Sequence, residues 1–304
     1  MHDVAIIGGG VTGCAIAREL SRYRIDVVLL EKYAEVGFGT SKTNSGIVHA
    51  GHHSSPDTLK GRLVVRGNEL FDTLSKELNF GFSRIGELVV AKNDAEVKVL
   101  LHLKEQGNRK GVPGLEMWEC DRLMREEPNL SKDLITALYA PSAGVINPYE
   151  FAFSLIENAV ANGVSLKMDS PVEGIDVTGA GLLLQTPRER IESRFVINCA
   201  GIFADHISHM VGIDDFTIHP RKGEEYMLDK RLKGIVRHLI FPVPQKHTKG
   251  ILIIPTYDGT LMVGPTAWDT PDRWDLSTTY EGAAEVFSFI KGLCSSITEK
   301  DTIT

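Results

Sequence analysis

Met1-His2-Asp3-Val4-Ala5-Ile6-Ile7-Gly8-Gly9-Gly10-Val11-Thr12-Gly13 opens the chain, and Val27-Val28-Leu29-Leu30-Glu31 follows an alanine-rich stretch with helical spacing. An apolar run, a G-x-G-x-x-G turn, a helix and a second apolar run ending in an acid form the sequence pattern of a dinucleotide-binding βαβ unit. Each part has its own task. Gly8 permits the tight turn, Gly10 lets backbone N–H groups approach a pyrophosphate, and Gly13 lets helix and strand pack closely. Val11 and Thr12 open the helix, whose N-terminus carries partial positive charge suited to an anion. Glu31, with Lys32 beside it, is placed to accept hydrogen bonds from ribose hydroxyls. The opposing reading, a glycine turn that only joins strand to helix, leaves Glu31 without a task.

At 304 residues the chain has room for two domains, or for one large α/β domain with an inserted module. Hydrophobic residues at 42%, charged residues at 24% and a net charge of -7 describe an ordinary globular protein and argue against a nucleic-acid partner. Cys14, Cys120, Cys199 and Cys294 are scattered, with no C-x-x-C pair, so they read as reduced, mostly buried thiols of a cytoplasmic protein. No apolar run reaches bilayer length, and the N-terminal run lacks a signal-peptide charge pattern. Peripheral membrane attachment and a partner subunit both stay open.

The segment from Tyr33 to Ser55 is polar, glycine-rich and longer than an ordinary connection, which marks it as functional. Leu59, Leu63, Leu70, Leu74 and Leu78 recur at helical spacing after Pro56-Asp57 and predict a scaffold helix. Beyond it we read a strand over 83–92, helices over 95–109 and 121–126, and a strand pair over 137–146 broken at Ser142-Ala143-Gly144. Pro148 opens a helix through Ala161. Short strands follow over 164–168 and 172–177, then a ribbon around Gly179-Ala180-Gly181. The apolar strand 194–199 and its following turn return to the first domain, and strands dominate 217–264. The predicted division is a discontinuous nucleotide domain (1–80 and 148–215), a mixed-sheet domain (81–147 and 216–280) and the start of a C-terminal segment (281–304).

The glycine turn, Glu31, the stretch Thr40-Ser41-Lys42-Thr43-Asn44-Ser45-Gly46-Ile47-Val48-His49-Ala50-Gly51 and Asn198-Cys199-Ala200-Gly201 together resemble the FAD-dependent D-amino-acid-oxidase superfamily. Arg221-Lys222-Gly223-Glu224-Glu225-Tyr226, His238 to Pro244 and Val263-Gly264-Pro265 resemble its glycerol-3-phosphate dehydrogenase and L-2-hydroxyglutarate oxidase branch. The resemblance implies an α/β fold: a Rossmann-like FAD domain of the GR2 type, three-layered ββα, with an inserted mixed-sheet α+β substrate domain. It implies that Gly8, Gly10 and Gly13 hold the FAD pyrophosphate and Glu31 the adenosine ribose. Thr40, Ser41, Asn44, Ser45 and Gly46 would follow the pyrophosphate, ribityl chain and flavin, Val172 would meet the adenine, and Ala200-Gly201 would supply a second backbone approach. Relatives continue past the equivalent of Thr304 into a strand and glycine turn that complete the flavin site, so the resemblance predicts a fragment lacking that part.

Oxidation by FAD requires a base for the hydroxyl or amine proton as hydride leaves. A neutral imidazole suits that role, and His49 lies in the loop implied to pass the flavin. The competing role is a histidine that only hydrogen-bonds its loop or the flavin edge. His52 and His53 stand where relatives carry aromatic residues, and we place them with the substrate. With His49 they resemble metal ligands, but no carboxylate or cysteine lies nearby in sequence, so we predict no metal. An anionic substrate calls for a cation, and Arg221 is the leading choice, with Lys222 and Tyr226 as neighbours and Lys60 and Arg62 behind. Trp268 and Trp274 read as packing residues.

These readings lead to FAD-dependent oxidation of a small anionic secondary alcohol, first sn-glycerol 3-phosphate, with electrons passing to a quinone or another acceptor. A 2-hydroxyacid oxidase acting on L-2-hydroxyglutarate, an amine or amino-acid oxidase, and a non-catalytic flavin-binding subunit are the alternatives. A nicotinamide dehydrogenase is disfavoured by the interrupted sheet.

Overall fold

The computed structural model describes residues 1–244 and 250–304, and their internal contacts divide them into two units. Met1–Asn44, Leu78–Phe80 and Pro148–Pro220 form the first; Ser45–Glu77, Gly81–Asn147 and Arg221–Thr304 form the second. The stretch Ser45–Glu77 thus goes with the second unit, whereas the sequence division keeps 1–80 together. Likewise residues 281–304 join that unit instead of standing apart.

In the first unit, apolar runs become parallel strands that are most buried at the two central positions, Ala5 to Ile7 and Val27–Leu30. Arg190–Asn198, His2–Ile7, Val27–Leu30 and Ser165–Lys167 lie side by side in that order, all parallel. Every residue of Val27–Leu30 is buried. The ribbon of Gly174–Thr178 and Gly181–Gln185 extends the sheet antiparallel from Arg190–Asn198. The helices Val11–Leu20 and Pro148–Ala161 pack on each other, the second opened by a proline that needs no N–H partner at that position. The strand Arg190–Asn198, which the sequence reading returns to the first domain, pairs directly with the opening strand.

The second unit is built on a seven-stranded mixed sheet. Its order is Tyr226–Leu228, Leu261–Gly264, Leu252–Pro255, Leu239–Pro242, Glu87–Ala91, Thr136–Ala140 and Glu116–Glu119. Only the Leu239–Pro242 and Glu87–Ala91 pair is parallel. The two-residue period of a strand assigns its faces. Leu88 and Val90 join a core with Trp118, Val286 and Ile290, while Val89 and Ala91 join another with Leu100, Leu103 and Phe241. The helix Asp94–Arg109 thus covers one face and the helix Tyr280–Lys291 the other. A small antiparallel sheet of Ile47–Val48, Gly144–Ile146 and Phe82–Arg84 carries the polar loop.

Four local expectations change. The strand over 83–92 is two strands, because Gly86 takes φ +72° and sends Phe82–Arg84 and Glu87–Ala91 into different sheets. Thr136–Ala140 and Gly144–Ile146 do not pair with each other for the same reason: each joins a different sheet. The Tyr280–Lys291 helix is missed by the sequence reading although Ala283, Val286, Phe287 and Ile290 recur at helical spacing behind a Thr279 cap. The helix Leu59–Glu77 forms as predicted, but Leu59, Leu63 and Leu70 are exposed, and its buried residues are Gly61 and Asn68. No helix among the described residues is long and apolar enough to cross a membrane.

Candidate active site

In the first unit two of the three motif glycines of the opening turn are required sterically, and the third leaves backbone open. Gly8 adopts φ +108°, and a Cβ there would lie 2.4 Å from the Cys199 carbonyl oxygen. A Cβ on Gly13 would lie 2.0 Å from the Gly8 carbonyl oxygen, so the helix can approach the strand only without a side chain. A Cβ on Gly10 would meet only the Ser41 hydroxyl, at 3.3 Å, which leaves a backbone surface open to a ligand.

Glu31 is buried and closes this turn from the far strand. Its Oε2 accepts the Gly9 N–H at 2.6 Å and its Oε1 accepts the Tyr33 N–H at 3.0 Å. Each carboxylate oxygen has two lone-pair directions, so ribose hydroxyls can add to these bonds. The Val11–Leu20 helix has no acidic residue in its first turn, and the Val11 N–H donates to Ser41 Oγ at 2.9 Å. Thr12 and Gly13 complete that turn, with the positive end of the helix dipole uncompensated by an acid.

The remaining residues assigned to the nucleotide in this unit fall around the same sheet end. The Lys32 ammonium sits 3.8 Å from the Phe203 ring centroid, and partial burial lowers its pKa. Thr40 and Asn44 are exposed, and Asn44 Nδ2 donates to the Ser41 carbonyl at 2.6 Å. The Ala200 N–H donates to Asn198 Oδ1 at 3.2 Å, and Gly201 takes φ +58° with nothing within 4 Å of an added Cβ. Val172 packs against the core that contains Ile175 and Ile191, just before the ribbon.

In the second unit the polar loop is held by its backbone. Ser45 Oγ donates to Glu225, whose half-buried carboxyl is pushed up by burial. The Gly46 carbonyl accepts from the Ile146 N–H at 2.8 Å, and His49 follows the short Ile47–Val48 strand directly. His49 is half-buried, its ring centroid 6.0 Å from that of Phe241. Its carbonyl accepts from Asn68 Nδ2 at 2.9 Å. Asn68 also donates to the Ser142 carbonyl at 2.8 Å and accepts from Arg84 Nη1 at 2.9 Å, so both donors of this buried amide are used and its oxygen is paired. Lys110 Nζ donates to the carbonyls of Gly51 and Ser54, and Gln106 Nε2 donates to that of His52 at 2.6 Å.

His52 and His53 are placed with the substrate by the sequence reading, but the structure buries both and turns them toward Glu87. Their Nε2 atoms lie 2.9 and 3.0 Å from Glu87 Oε1, with all three side chains no more than 5% exposed. Burial pushes the Glu87 carboxyl up, yet His52 and then His53 outweigh it and hold the group well below the usual range. The reason given above for excluding a metal therefore fails, since a carboxylate does face these histidines from a distant strand. An acid heading the apolar run Glu87-Leu88-Val89-Val90-Ala91 was the available signal for it.

Tyr226 also leaves the substrate list. It is 5% exposed, and its hydroxyl donates to Glu224 Oε2 at 2.9 Å and lies 3.0 Å from the Thr279 carbonyl. The Lys222 ammonium is occupied by Asp275 at 2.8 Å and Glu224 at 3.2 Å. Arg221 is exposed, and its Nη2 donates to the Ala267 carbonyl at 2.8 Å. Trp268 is half-buried and its indole N–H donates to Glu285 Oε2 at 3.1 Å, whereas Trp274 is 62% exposed and is not a packing residue.

The family profile described as FAD dependent oxidoreductase matches residues 3–303. A glycerol 3-phosphate dehydrogenase of Caloramator mitchellensis is 45% identical over 282 residues, which are 93% of this chain and 59% of that protein. A glycerol 3-phosphate oxidase of Mycoplasma pneumoniae is 31% identical over 281 residues, 90% of this chain and 73% of that protein. The dithionite-reduced L-alpha-glycerophosphate oxidase structure from Mycoplasma pneumoniae, with FAD bound, superposes with a TM-score of 0.94 at 28% identity, covering 100% of this chain and 81% of that one. The chain thus spans about three-fifths of the first relative and three-quarters of the second. With the glycine turn, the buried Glu31 and the mixed-sheet second unit all in place, the chain belongs to the family of FAD dependent oxidoreductases.

Proposed function

We propose that this chain binds FAD and takes part in the oxidation of sn-glycerol 3-phosphate to dihydroxyacetone phosphate. The observation that carries the cofactor reading is the Gly8–Gly13 turn locked to the buried Glu31, beside backbone that an added Cβ would fill. The substrate reading is supported by likeness to proteins named for glycerol 3-phosphate. When bound, FAD accepts the hydride from the substrate carbon.

This chain's own residues then divide the remaining work. Gly8, Gly10, Val11, Thr12 and Gly13 hold the pyrophosphate by N–H groups and helix dipole, and Glu31 holds the ribose. Lys32, Thr40, Ser41, Asn44, Val172, Ala200 and Gly201 are proposed to contact the cofactor in the first unit, and Ser45 and Gly46 in the second. His49 takes the hydroxyl proton; its half-buried ring and pinned carbonyl suit a base that must keep one orientation. Arg221 offers a guanidinium to the substrate phosphate. Electrons pass on to a quinone or another acceptor, in a reducing compartment consistent with four unbridged cysteines.

A substrate panel tests this reading. Purified protein should be yellow, and dihydroxyacetone phosphate should form from glycerol 3-phosphate with an artificial electron acceptor. Turnover of L-2-hydroxyglutarate or an amino acid in its place would transfer the same residues to the rival oxidase readings.

A further inference from the structure

We propose that His52, His53 and Glu87 bind one divalent first-row transition cation, which ties the loop following His49 to the seven-stranded sheet. The three side chains come from two places. His52 and His53 lie on the loop, whereas Glu87 heads a central strand of the sheet. Their ligand atoms all lie within 4.8 Å of one another, and the side chains are 0%, 5% and 0% exposed.

An ordinary buried ion pair does not account for the details. His52 Nε2 lies 2.9 Å from Glu87 Oε1, yet it makes no hydrogen bond there or to any other described residue. Glu87 Oε2 is likewise buried without a hydrogen-bond partner among the described residues. Buried polar atoms are satisfied as a rule. His52 Nδ1 has no hydrogen-bond partner among the described residues either, but it is the two atoms of the His52–Glu87 contact, Nε2 and Oε2, that a ligand there would explain. A cation facing His52 Nε2 and the carboxylate accounts for both.

The spacing also has a direction. Ligand bonds of about 2.1 Å at right angles place neighbouring ligand atoms about 3.0 Å apart, and a tetrahedron places them about 3.4 Å apart. The observed 2.9 and 3.0 Å are compatible with the right-angled case and equally with a hydrogen bond, which His53 Nε2 makes to Glu87 Oε1. The spacing therefore permits the cation, and the orphaned atoms argue for it. Two imidazoles with one carboxylate suit a first-row transition cation better than calcium or magnesium, which prefer all-oxygen shells. The cation displaces any Nε2 protons and leaves oxidation states unchanged, so the role is structural.

The test reads metal content and does not depend on the substrate assigned above. Protein is produced in medium supplemented with Mn2+, Fe2+, Co2+ or Zn2+, dialysed against metal-free buffer and analysed by mass spectrometry of the elements. About one ion per chain is expected for one of these metals, and the isosteric Glu87→Gln variant should retain at least about tenfold less with its flavin absorbance unchanged. Less than about 0.1 ion per chain in every medium, or equal content in the folded variant, overturns the site. If Glu87→Gln fails to hold flavin, X-ray absorption at the metal edge of the unaltered protein decides: two imidazole ligands support the site, and none overturns it.

Discussion

Glu31 and Glu87 are both buried acids at ends of apolar strands, but one is held by backbone N–H groups and the other faces side chains that leave one of its oxygens unpaired among the described residues. Glu31 receives N–H groups from Gly9 and Tyr33, partners that the βαβ geometry itself brings to it. Glu87 faces two imidazoles from a loop in another sheet system of the second unit. Neutral dipoles can hold a buried carboxylate with no further charge, whereas two imidazoles tie its state to protons or to a cation. The first arrangement suits a fixed cofactor cradle. The second suits a region whose job is to hold one loop, and its histidines, in place.

Variants can break this contrast in order of effect. His49→Asn should leave FAD bound and slow flavin reduction by about two to four orders of magnitude, the span of a lost general base, in anaerobic stopped-flow. Unchanged kinetics would return His49 to a loop role. Gly13→Ala acts on the cradle: its Cβ would lie 2.0 Å from the Gly8 carbonyl oxygen, so stability should drop by about 3 kcal/mol with loss of FAD, measured by denaturant unfolding and flavin content. Full FAD retention would show that the turn can relax.

Asn68→Ala sharpens the other side. It removes donors from the His49 and Ser142 carbonyls and should cost about 2 kcal/mol, with flavin reduction slowed while FAD content stays constant. Arg221→Ala should raise KM about tenfold with little change in kcat, and an unmoved KM removes Arg221 from anion binding.

The smallest effect is a pH dependence in the first unit. Burial, then Glu31, pushes the Cys14 thiol from 9.0 to about 12. The folded state therefore holds this proton more tightly, so its stabilising share is complete below pH 9.0 and is lost as pH rises toward about 12. Alkylation of Cys14 in the native protein at pH 8 should be far slower than after unfolding; equal rates would contradict its burial.

What could be read from sequence followed the same divide. The opening turn, its helix and the strand ending at Glu31 are local, and their order was visible from spacing alone. The strand read over 194–199 forms, as Arg190–Asn198, although only Ile191 and Ser193 of it are buried. In the second unit, Gly86 lies inside what the sequence reads as one strand over 83–92, since its φ of +72° is a property of the folded chain. Glu87 was invisible as a partner of His52 because their pairing depends on which sheet the strand enters. Leu59, Leu63 and Leu70 kept their helical period but not their burial, because periodicity tells which residues share a face and not what covers it.

Anaerobic titration of the purified flavoprotein tests the central claim most directly. Glycerol 3-phosphate should bleach the absorbance near 450 nm, a wavelength on the order expected for oxidised flavin, and L-2-hydroxyglutarate should not. A fully flavinylated protein that glycerol 3-phosphate leaves yellow would contradict the account.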